Sequence, residues 1–328
     1  MTVRIYRSTD ASAPVLSGAA GALATVLDAV LVNGYGAKAA AGWAIEFTGA
    51  NKRAYRAASG NRLRLRVDDS GTSNARVVGY ESMTDVDTGT GDFPTAAQIA
   101  GGLYWMKSTL TDGTARAWVI LATGTMFYMF VNTAGAAAGV GWSTNANSFG
   151  DFTSYKPSDT YGTRIIGNIG ATTTTGNANG TKCFGAATAS TIAGTYVARA
   201  NNHVGGSIAV GQAVSGILTG VVSYYSNAQS IGSDMDWAAS THTYKAPTYP
   251  NAADGGFFLG KLYVTEAGVS IRGYLPGVWA PAIGPGSPPA LGDTWSGSGD
   301  FAGKTFELML ITIGTTTSRL ALETSDTW

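Results

Sequence analysis

The stretch Leu103–Thr133 reads LYWMKSTLTDGTARAWVILATGTMFYMFVNT, and it contains three apolar runs. The runs LYWMKSTL, ARAWVILAT and MFYMFVNT are rich in aromatic and β-branched residues, which favour strands. Asp112-Gly113 and Gly124-Thr125 stand between the runs, where two tight turns are needed. The stretch therefore predicts a three-stranded antiparallel meander in a fold built mainly from β-strands.

Alternating apolar and polar residues elsewhere in the chain predict further strands. Within Asn61–Gly71, the residues Leu63, Leu65 and Val67 fall on one face, and arginines occupy the positions between them. The same reasoning predicts two other features, a strand in GWAIEFTG at Gly42–Gly49 and a final hairpin at Lys304–Trp328. We predict a mainly β fold, an antiparallel β-sandwich or meander with one N-terminal α-helix.

The composition excludes several classes of protein. Lys plus Arg and Asp plus Glu each number 21 in the 328 residues, so the net charge is zero. A chain without a basic excess is not expected to bind nucleic acid or an acidic membrane surface electrostatically. Charged residues make up 13% of the chain, against about 25% in a typical soluble domain. Such a chain either hides much of its surface against partners or relies on Ser, Thr and Asn for solubility, and the zero net charge favours association.

The N-terminal stretch Pro14–Gly36 contains an apolar run that a signal peptide, a membrane anchor or a retained helix could each produce. Asp10 and Asp28 count against a signal peptide, and the Gly, Ser and Asn residues within the run count against a membrane span. Ser17 is suited to cap a helix, and Asn33-Gly34 to end it. We predict a retained helix with one apolar face, formed by Leu23, Val26, Leu27, Val30 and Leu31.

This helix divides the predicted chain into an N-terminal arm and docking helix at residues 1–40 and a β-rich domain at residues 41–328. The opposite face of the helix carries Ala, Gly and Thr instead of charge, so we expect burial between layers or subunits. We therefore assign the five apolar residues to an assembly interface. Residues 170–250 are interpreted as an elaboration or insertion, either a surface excursion or thin edge strands.

Residues that form common catalytic sites are scarce. The two histidines, His203 and His242, do not accompany a G-x-S-x-G nucleophile, and the chain contains no H-E-x-x-H or phosphate-binding loop motif. We expect neither a cofactor nor enzymatic activity. A cell-wall or polysaccharide hydrolase stays a less favoured alternative, because sequence spacing cannot show whether two carboxylates face each other.

The segment DVDTGTGD contains the best candidate metal ligands, Asp85, Asp87 and Asp92. Carboxylate oxygens near a glycine-rich bend are typical of calcium sites. The segment departs from the EF-hand pattern, however, because Gly89 occupies a ligand position and the closing Glu is missing. An acidic hairpin loop explains the same residues without a metal.

Aromatic residues in polar surroundings form a second candidate site. Exposed rings among hydrogen-bonding side chains suit sugar stacking or protein docking, whereas the alternative is that they cap small satellite cores. Four of these residues are the candidate glycan or partner contacts: Trp142, Tyr224, Tyr225 and Trp237. The remaining members of the set are Tyr155, Tyr161 and Tyr244.

Five segments of the chain carry a similarity to known proteins: APVLSGAAGALATVLDAVLVNGYG (13–36), FGDFTSYKPSDTYGTRIIG (149–167), GYLPGVWAP (273–281), SGSGDFAGKTF (296–306) and LETSDTW (322–328). Together they resemble virion structural proteins of tailed bacteriophages, associated with the tail, the baseplate or the capsid. The resemblance includes no catalytic motif, so it assigns no active-site residues.

The resemblance implies a non-enzymatic structural subunit of a phage particle, with other virion proteins and copies of itself as partners. We expect the protein to be made in the bacterial host cytoplasm without a signal peptide and to reside in the virion. The main alternative is a tail-tip module that binds glycans on the host surface. One protein could perform both roles.

Overall fold

The computed structural model describes residues 2–135, 142–171, 184, 194–198, 255–266, 270–281, 288–313 and 316–328. It is mainly β, with antiparallel sheets and one short helical segment near the N-terminus, so the predicted fold class is confirmed. Among these residues, none of the helices has the length and apolar character needed to cross a membrane.

The described strands and helix are, in chain order, β1 (Arg4–Arg7), α1 (Ala22–Leu27), β2 (Ala44–Gly49), β3 (Lys52–Arg56), β4 (Arg64–Asp68), β5 (Asn74–Tyr80), β6 (Ser82–Met83), β7 (Gly89–Thr90), β8 (Leu103–Met106), β9 (Ala117–Ala122), β10 (Met126–Asn132), β11 (Trp142–Ser143), β12 (Asn145–Asp151), β13 (Thr153–Ser154), β14 (Thr163–Ile166), β15 (Thr195–Val197), β16 (Leu259–Glu266), β17 (Ser270–Pro281), β18 (Thr294–Ser296), β19 (Thr305–Ile313) and β20 (Thr316–Glu323). A π-helical segment, Asp28–Asn33, continues α1, and a 3-10 helix covers Gly299–Phe301.

The three large sheets are stacked, and a six-stranded antiparallel sheet lies in the middle. Its strand order is β1-β9-β10-β12-β14-β15. Successive side chains of β9 point to opposite sides, so that Trp118 and Ile120 lie in one core and Val119 and Leu121 lie in the other. Both faces of the middle sheet are buried, which explains why β9 and β10 are apolar along their whole length.

The first outer sheet, with the order β2-β3-β4-β5-β8, packs on the middle sheet through the first core. Leu65 and Val67 are fully buried there, and this confirms the face predicted from their alternation. The arginines between them point the other way. Arg64, for example, donates from Nε to a carboxylate oxygen of Glu46 at 2.7 Å.

The second outer sheet, with the order β11-β19-β20-β17-β13, covers the opposite face of the middle sheet. β19 and β20 pair along their length, so the predicted final hairpin is confirmed. Strand β17 continues through Pro276 and ends at Pro281. Lys261 pairs with Trp279 and Tyr263 pairs with Tyr274, so five steps along β17 match two along β16. The surplus residues form a bulge in β17.

The predicted meander is correct for its second hairpin and wrong for its first. β9 and β10 pair around the turn Thr123–Thr125, but β8 pairs with β5 in the first outer sheet. The connection Lys107–Arg116 crosses from the outer sheet to the middle sheet instead of turning back. Trp105 helps to hold β8 there, because its buried indole lies in the first core and donates to the Ile166 carbonyl at 2.8 Å.

The N-terminal helix ends where the sequence predicts, but a different residue caps its start. Gly34 has a φ of 77° after the π-helical segment, which confirms the predicted stop at Asn33-Gly34. The first helical residue is Ala22, however, so Ser17 is not the cap. A carboxylate from the loop after β4 replaces it. Asp69 accepts hydrogen bonds from the backbone nitrogens of Leu23 and Ala24, at 2.7 and 3.1 Å.

A buried ion pair holds this cap in place. The Asp69 carboxylate is paired with the Lys107 ammonium, and both side chains are completely buried. The same ammonium donates to the Ala19 carbonyl at 2.7 Å, just before the helix. The helix, the first outer sheet and the connection after β8 therefore meet at one ion pair. Residues 2–40 are built into the layers, since β1 is a strand of the middle sheet.

Candidate functional site

The five residues assigned to an assembly interface all lie in the interior of this chain. Their side chains are completely buried in the first core, between the middle sheet and the first outer sheet: Leu23, Val26, Leu27, Val30 and Leu31. The same chain covers the apolar face of the helix, so these side chains offer no surface to a second molecule. Val15, in the loop before the helix, is 59% exposed and is a large apolar arm residue that a neighbour could contact.

The three aspartates proposed as calcium ligands serve different partners. Asp87 pairs with Lys52 at 2.9 Å and with Arg66. Asp85 accepts from the backbone nitrogen of Asp87, and Asp92 accepts from that of Ala96. Among the described residues, no group of three or more His, Cys, Asp or Glu side chains is arranged to hold a metal. The alternative of an acidic hairpin fits the short pairing of β6 with β7.

The four candidate glycan or partner contacts fall largely outside the described residues. Tyr224, Tyr225 and Trp237 lie in a range that the structure does not describe, as do His203 and His242. Trp142 belongs to β11, which pairs with β19, but its side chain is outside the description. These assignments stay predictions.

A cleft of about 570 Å³ opens where the middle sheet meets the second outer sheet. Its walls come from the bulge of β17, the turn between β9 and β10, the end of β12, the 3-10 helix and the end of β20. The lining includes these aromatic and charged side chains: Phe152, Tyr274, Trp279, Phe301, Trp328, Asp151, Asp300, Glu323, Lys261 and Lys304. Volumes of about 300–1,000 Å³ are typical of small-molecule sites.

A buried carboxylate fixes one aromatic wall of the cleft. Glu323 is 3% exposed and accepts a hydrogen bond from Nε1 of Trp279 at 3.0 Å. Its other oxygen lies 2.7 Å from the Lys304 ammonium. The Trp279 ring meets Phe301 edge to face, with 4.8 Å between the ring centroids. The indole is therefore held from two directions while it stays partly exposed.

Asp151 is engaged in structural contacts at the opposite wall. One oxygen accepts from the backbone nitrogen of Asn61 at 2.7 Å, and the other accepts from the Thr163 hydroxyl. Burial raises the pKa of the Asp151 carboxyl, and these two hydrogen bonds oppose the rise. Gly60 allows the close approach, because a Cβ there would lie 2.1 Å from an Asp151 oxygen.

Two charged groups of the cleft stay available to a ligand. Asp300 is exposed, and within the described part of the chain it has neither an ion-pair nor a hydrogen-bond partner. The Lys261 ammonium lies 4.0 Å from the centroid of the Tyr274 ring and has no carboxylate partner among the described residues. The cleft thus offers one free acceptor group and one free donor group.

An exposed tyrosine continues the aromatic surface beyond the cleft. Tyr155, which the sequence analysis included among the aromatics in polar surroundings, is 52% exposed. Its ring centroid lies 5.9 Å from that of Tyr274. A buried pair supports the loop that carries it, because Arg272 donates to both oxygens of Asp159, at 2.9 and 2.8 Å.

The cleft could not be recognised before folding, because its residues come from distant segments. One signal was present, however. Four of the five segments that carry the phage resemblance contribute to the lining: residues 149–167, 273–281, 296–306 and 322–328. In the second of these, GYLPGVWAP, proline and glycine interrupt a strand pattern, as is typical of a bulge.

We compared the sequence with protein-family models and with curated proteins. No protein-family model matches the chain. No curated protein matches its sequence either.

Proposed function

We propose that this protein is a non-enzymatic structural subunit of a tailed-bacteriophage particle. It resides in the virion, and its partners are other virion proteins and copies of itself. The resemblance of the five segments is the reason for the proposal. The observation that supports it best is that four of those segments, far apart in the chain, supply residues to a single cleft.

The state of the carboxylates in the cleft supports a binding role over a catalytic one. Acid–base catalysis needs carboxyl groups that can reach a reacting atom. Both oxygens of Asp151 accept hydrogen bonds from the chain, and both oxygens of Glu323 contact Trp279 or Lys304. Asp300 is the carboxylate of the cleft that is left for a ligand, and a single free carboxylate suits recognition.

Assembly through the N-terminal arm takes a changed form in this proposal. The apolar face of the helix is buried within the chain, so the contact with neighbours involves exposed residues of the arm and the outer β surfaces. Val15 is the clearest case, because an apolar side chain that is 59% exposed gains from burial against a neighbour.

The experiment is immunogold electron microscopy of particles purified from a lysate in which the chain is made, with an antibody against the purified protein. Labelling at one defined position of intact particles is expected. Mass spectrometry of the same particles should find the chain in a fixed ratio to the major capsid protein. Particles that contain none of the chain would refute the proposal.

A variant tests the arm separately. Val15→Asp is expected to reduce incorporation into particles, while Leu291→Asp, at an exposed leucine outside the arm, serves as the matched control. Equal incorporation of Val15→Asp and the wild type would remove the arm from the assembly surface. That result would not affect the assignment to the virion, which the immunogold labelling tests separately.

A further inference from the structure

We propose that the cleft is a carbohydrate-binding site that takes pyranose rings of a neutral glycan. The inference concerns the ligand of this cleft, and it holds wherever in a particle the protein resides. The inference rests on three observations: a fixed aromatic wall, two free polar groups and the balance of charge in the lining.

The first observation is an aromatic wall held rigid by buried charge. Removing a carboxylate from water costs several kcal/mol, and here the buried Glu323 carboxylate accepts from the Trp279 indole and is paired on its other oxygen with the partly exposed Lys304 ammonium. Glu323 is 3% exposed, yet it contacts the one polar atom of that ring. The indole therefore loses little conformational freedom when a ligand packs on it, which favours binding.

The second observation is the pairing of apolar faces with polar groups at one site. A pyranose ring has C–H groups that pack on an aromatic face and hydroxyl groups at its rim that need partners. Trp279 and Tyr274 are partly exposed aromatic residues of the lining, and the Lys261 ammonium lies over the Tyr274 ring, 4.0 Å from its centroid. The Asp300 carboxylate can accept from two adjacent hydroxyls, and the Lys261 ammonium can donate to a third oxygen. A purely apolar ligand that covered these two groups would remove water from both charges without replacing its hydrogen bonds.

The third observation is the balance of charge, which disfavours an anionic ligand. The lining has three carboxylates, Asp151, Asp300 and Glu323, and two ammonium groups, Lys261 and Lys304. Lys304 is already paired with Glu323. A phosphate or a uronic acid would therefore meet one available cation beside an available anion. A neutral sugar meets no such repulsion.

The aromatic surface also indicates a chain of sugars instead of a single ring. Tyr155 lies outside the cleft, next to Tyr274, and its ring is half exposed. The Asp159–Arg272 pair holds the loop that carries it. A glycan that fills the cleft can continue over Tyr155, so this tyrosine forms a second subsite.

The test is binding of the full chain to a printed array of neutral and acidic glycans that includes bacterial surface polysaccharides. Affinities for the strongest neutral glycan are then measured by biolayer interferometry. Asp300→Asn is expected to weaken that affinity about tenfold or more, the value of a hydrogen bond to a charged group. Tyr274→Ala should weaken it by a similar factor, and Tyr274→Phe should retain the affinity because the ring is kept.

Two control variants make the same chemical changes away from the cleft. Asp112→Asn removes a carboxylate in an exposed turn, and Phe258→Ala removes a ring that is 61% exposed. Both should bind like the wild type. Melting temperatures equal to that of the wild type will show that the cleft variants are folded.

Three outcomes would overturn the proposal. In the first, the wild-type protein binds no neutral glycan on the array. In the second, it binds acidic glycans or apolar peptides alone. In the third, the folded variants Asp300→Asn and Tyr274→Ala bind the glycan with the affinity of the wild type. Tyr155→Ala should weaken binding of long glycans more than that of disaccharides. Equal loss for both lengths would refute the second subsite.

Discussion

Replacing Lys107 by Met is expected to destabilise the protein strongly, because the buried Asp69 carboxylate then loses its cation. Both side chains are completely buried, and Asp69 also accepts from the first turn of α1. Breaking one partner of a buried ion pair costs about 3–5 kcal/mol. Domains are stable by about 5–15 kcal/mol in total, so the variant loses a large part of its stability.

The melting temperature gives a direct measurement. With an unfolding entropy of about 2.1 cal/mol/K per residue over 328 residues, a loss of about 3–5 kcal/mol corresponds to a melting temperature that is lower by about 4–7 °C. The double variant Lys107→Met/Asp69→Asn should recover most of the loss. It has no unpaired charge, and the Asn oxygen still accepts from the helix start. Calorimetry of the wild type, both single variants and the double variant gives the coupling between the two side chains.

Lys156→Met is the matched control, because that side chain has no hydrogen-bond or ion-pair partner among the described residues. Its free energy of unfolding should change by less than about 0.5 kcal/mol. If Lys107→Met has the same melting temperature as the control variant Lys156→Met, the stabilising role of the buried pair is refuted. A double variant that is as unstable as the sum of the two single variants would show that the carboxylate and ammonium do not depend on each other.

Two further predictions concern the support of the cleft. Arg272 and Ser154 hold the pKa of Asp159 below its usual value against the effect of burial. This carboxylate therefore contributes stability above pH 4, and the contribution is lost as the pH falls through its folded pKa. In the variant Asp159→Asn, the free energy of unfolding should fall less steeply at acid pH than it does in the wild type. Gly277→Ala should lower the free energy of unfolding more than Gly303→Ala does. Both glycines have a positive φ, but only at residue 277 would the added Cβ lie 2.0 Å from the Trp328 ring. Urea denaturation measures both effects, and equal costs for the two alanines would contradict the contact with Trp328.

Local patterns predicted those parts of the fold that depend on neighbouring residues. The hairpin of β9 and β10, the buried face of Leu65 and Val67, and the stop at Gly34 all follow from spacing or turn residues. The position of β8 did not follow. Its apolar run suits either sheet, and the decision rests on a tertiary contact of Trp105 with the carbonyl of Ile166, 61 residues away.

The helix cap and the cleft were missed for the same physical reason. Asp69 caps α1 from 46 residues away, so the favourable local cap at Ser17 is not used. Glu323 contacts Trp279 across 44 residues. Spacing along a strand or helix cannot show such pairs, because the fold alone brings them together. The sequence left open whether aromatic residues in polar surroundings form a surface or cap small cores, and the structure shows one case of each, because Tyr155 is exposed whereas Tyr161 packs against the first core.

The burial of the arm decides how its part in assembly can be studied. Deletion of residues 1–38 would remove β1 from the edge of β9 and would strip α1 from the first core, where Leu23 and Leu27 are completely buried. Failure of such a protein to enter particles would therefore report unfolding and give no information about contacts. A charged substitution at Val15 changes the surface and leaves the core intact, because that side chain is mostly exposed. The comparison of Val15→Asp with Leu291→Asp thus separates a loss of contact from a loss of structure.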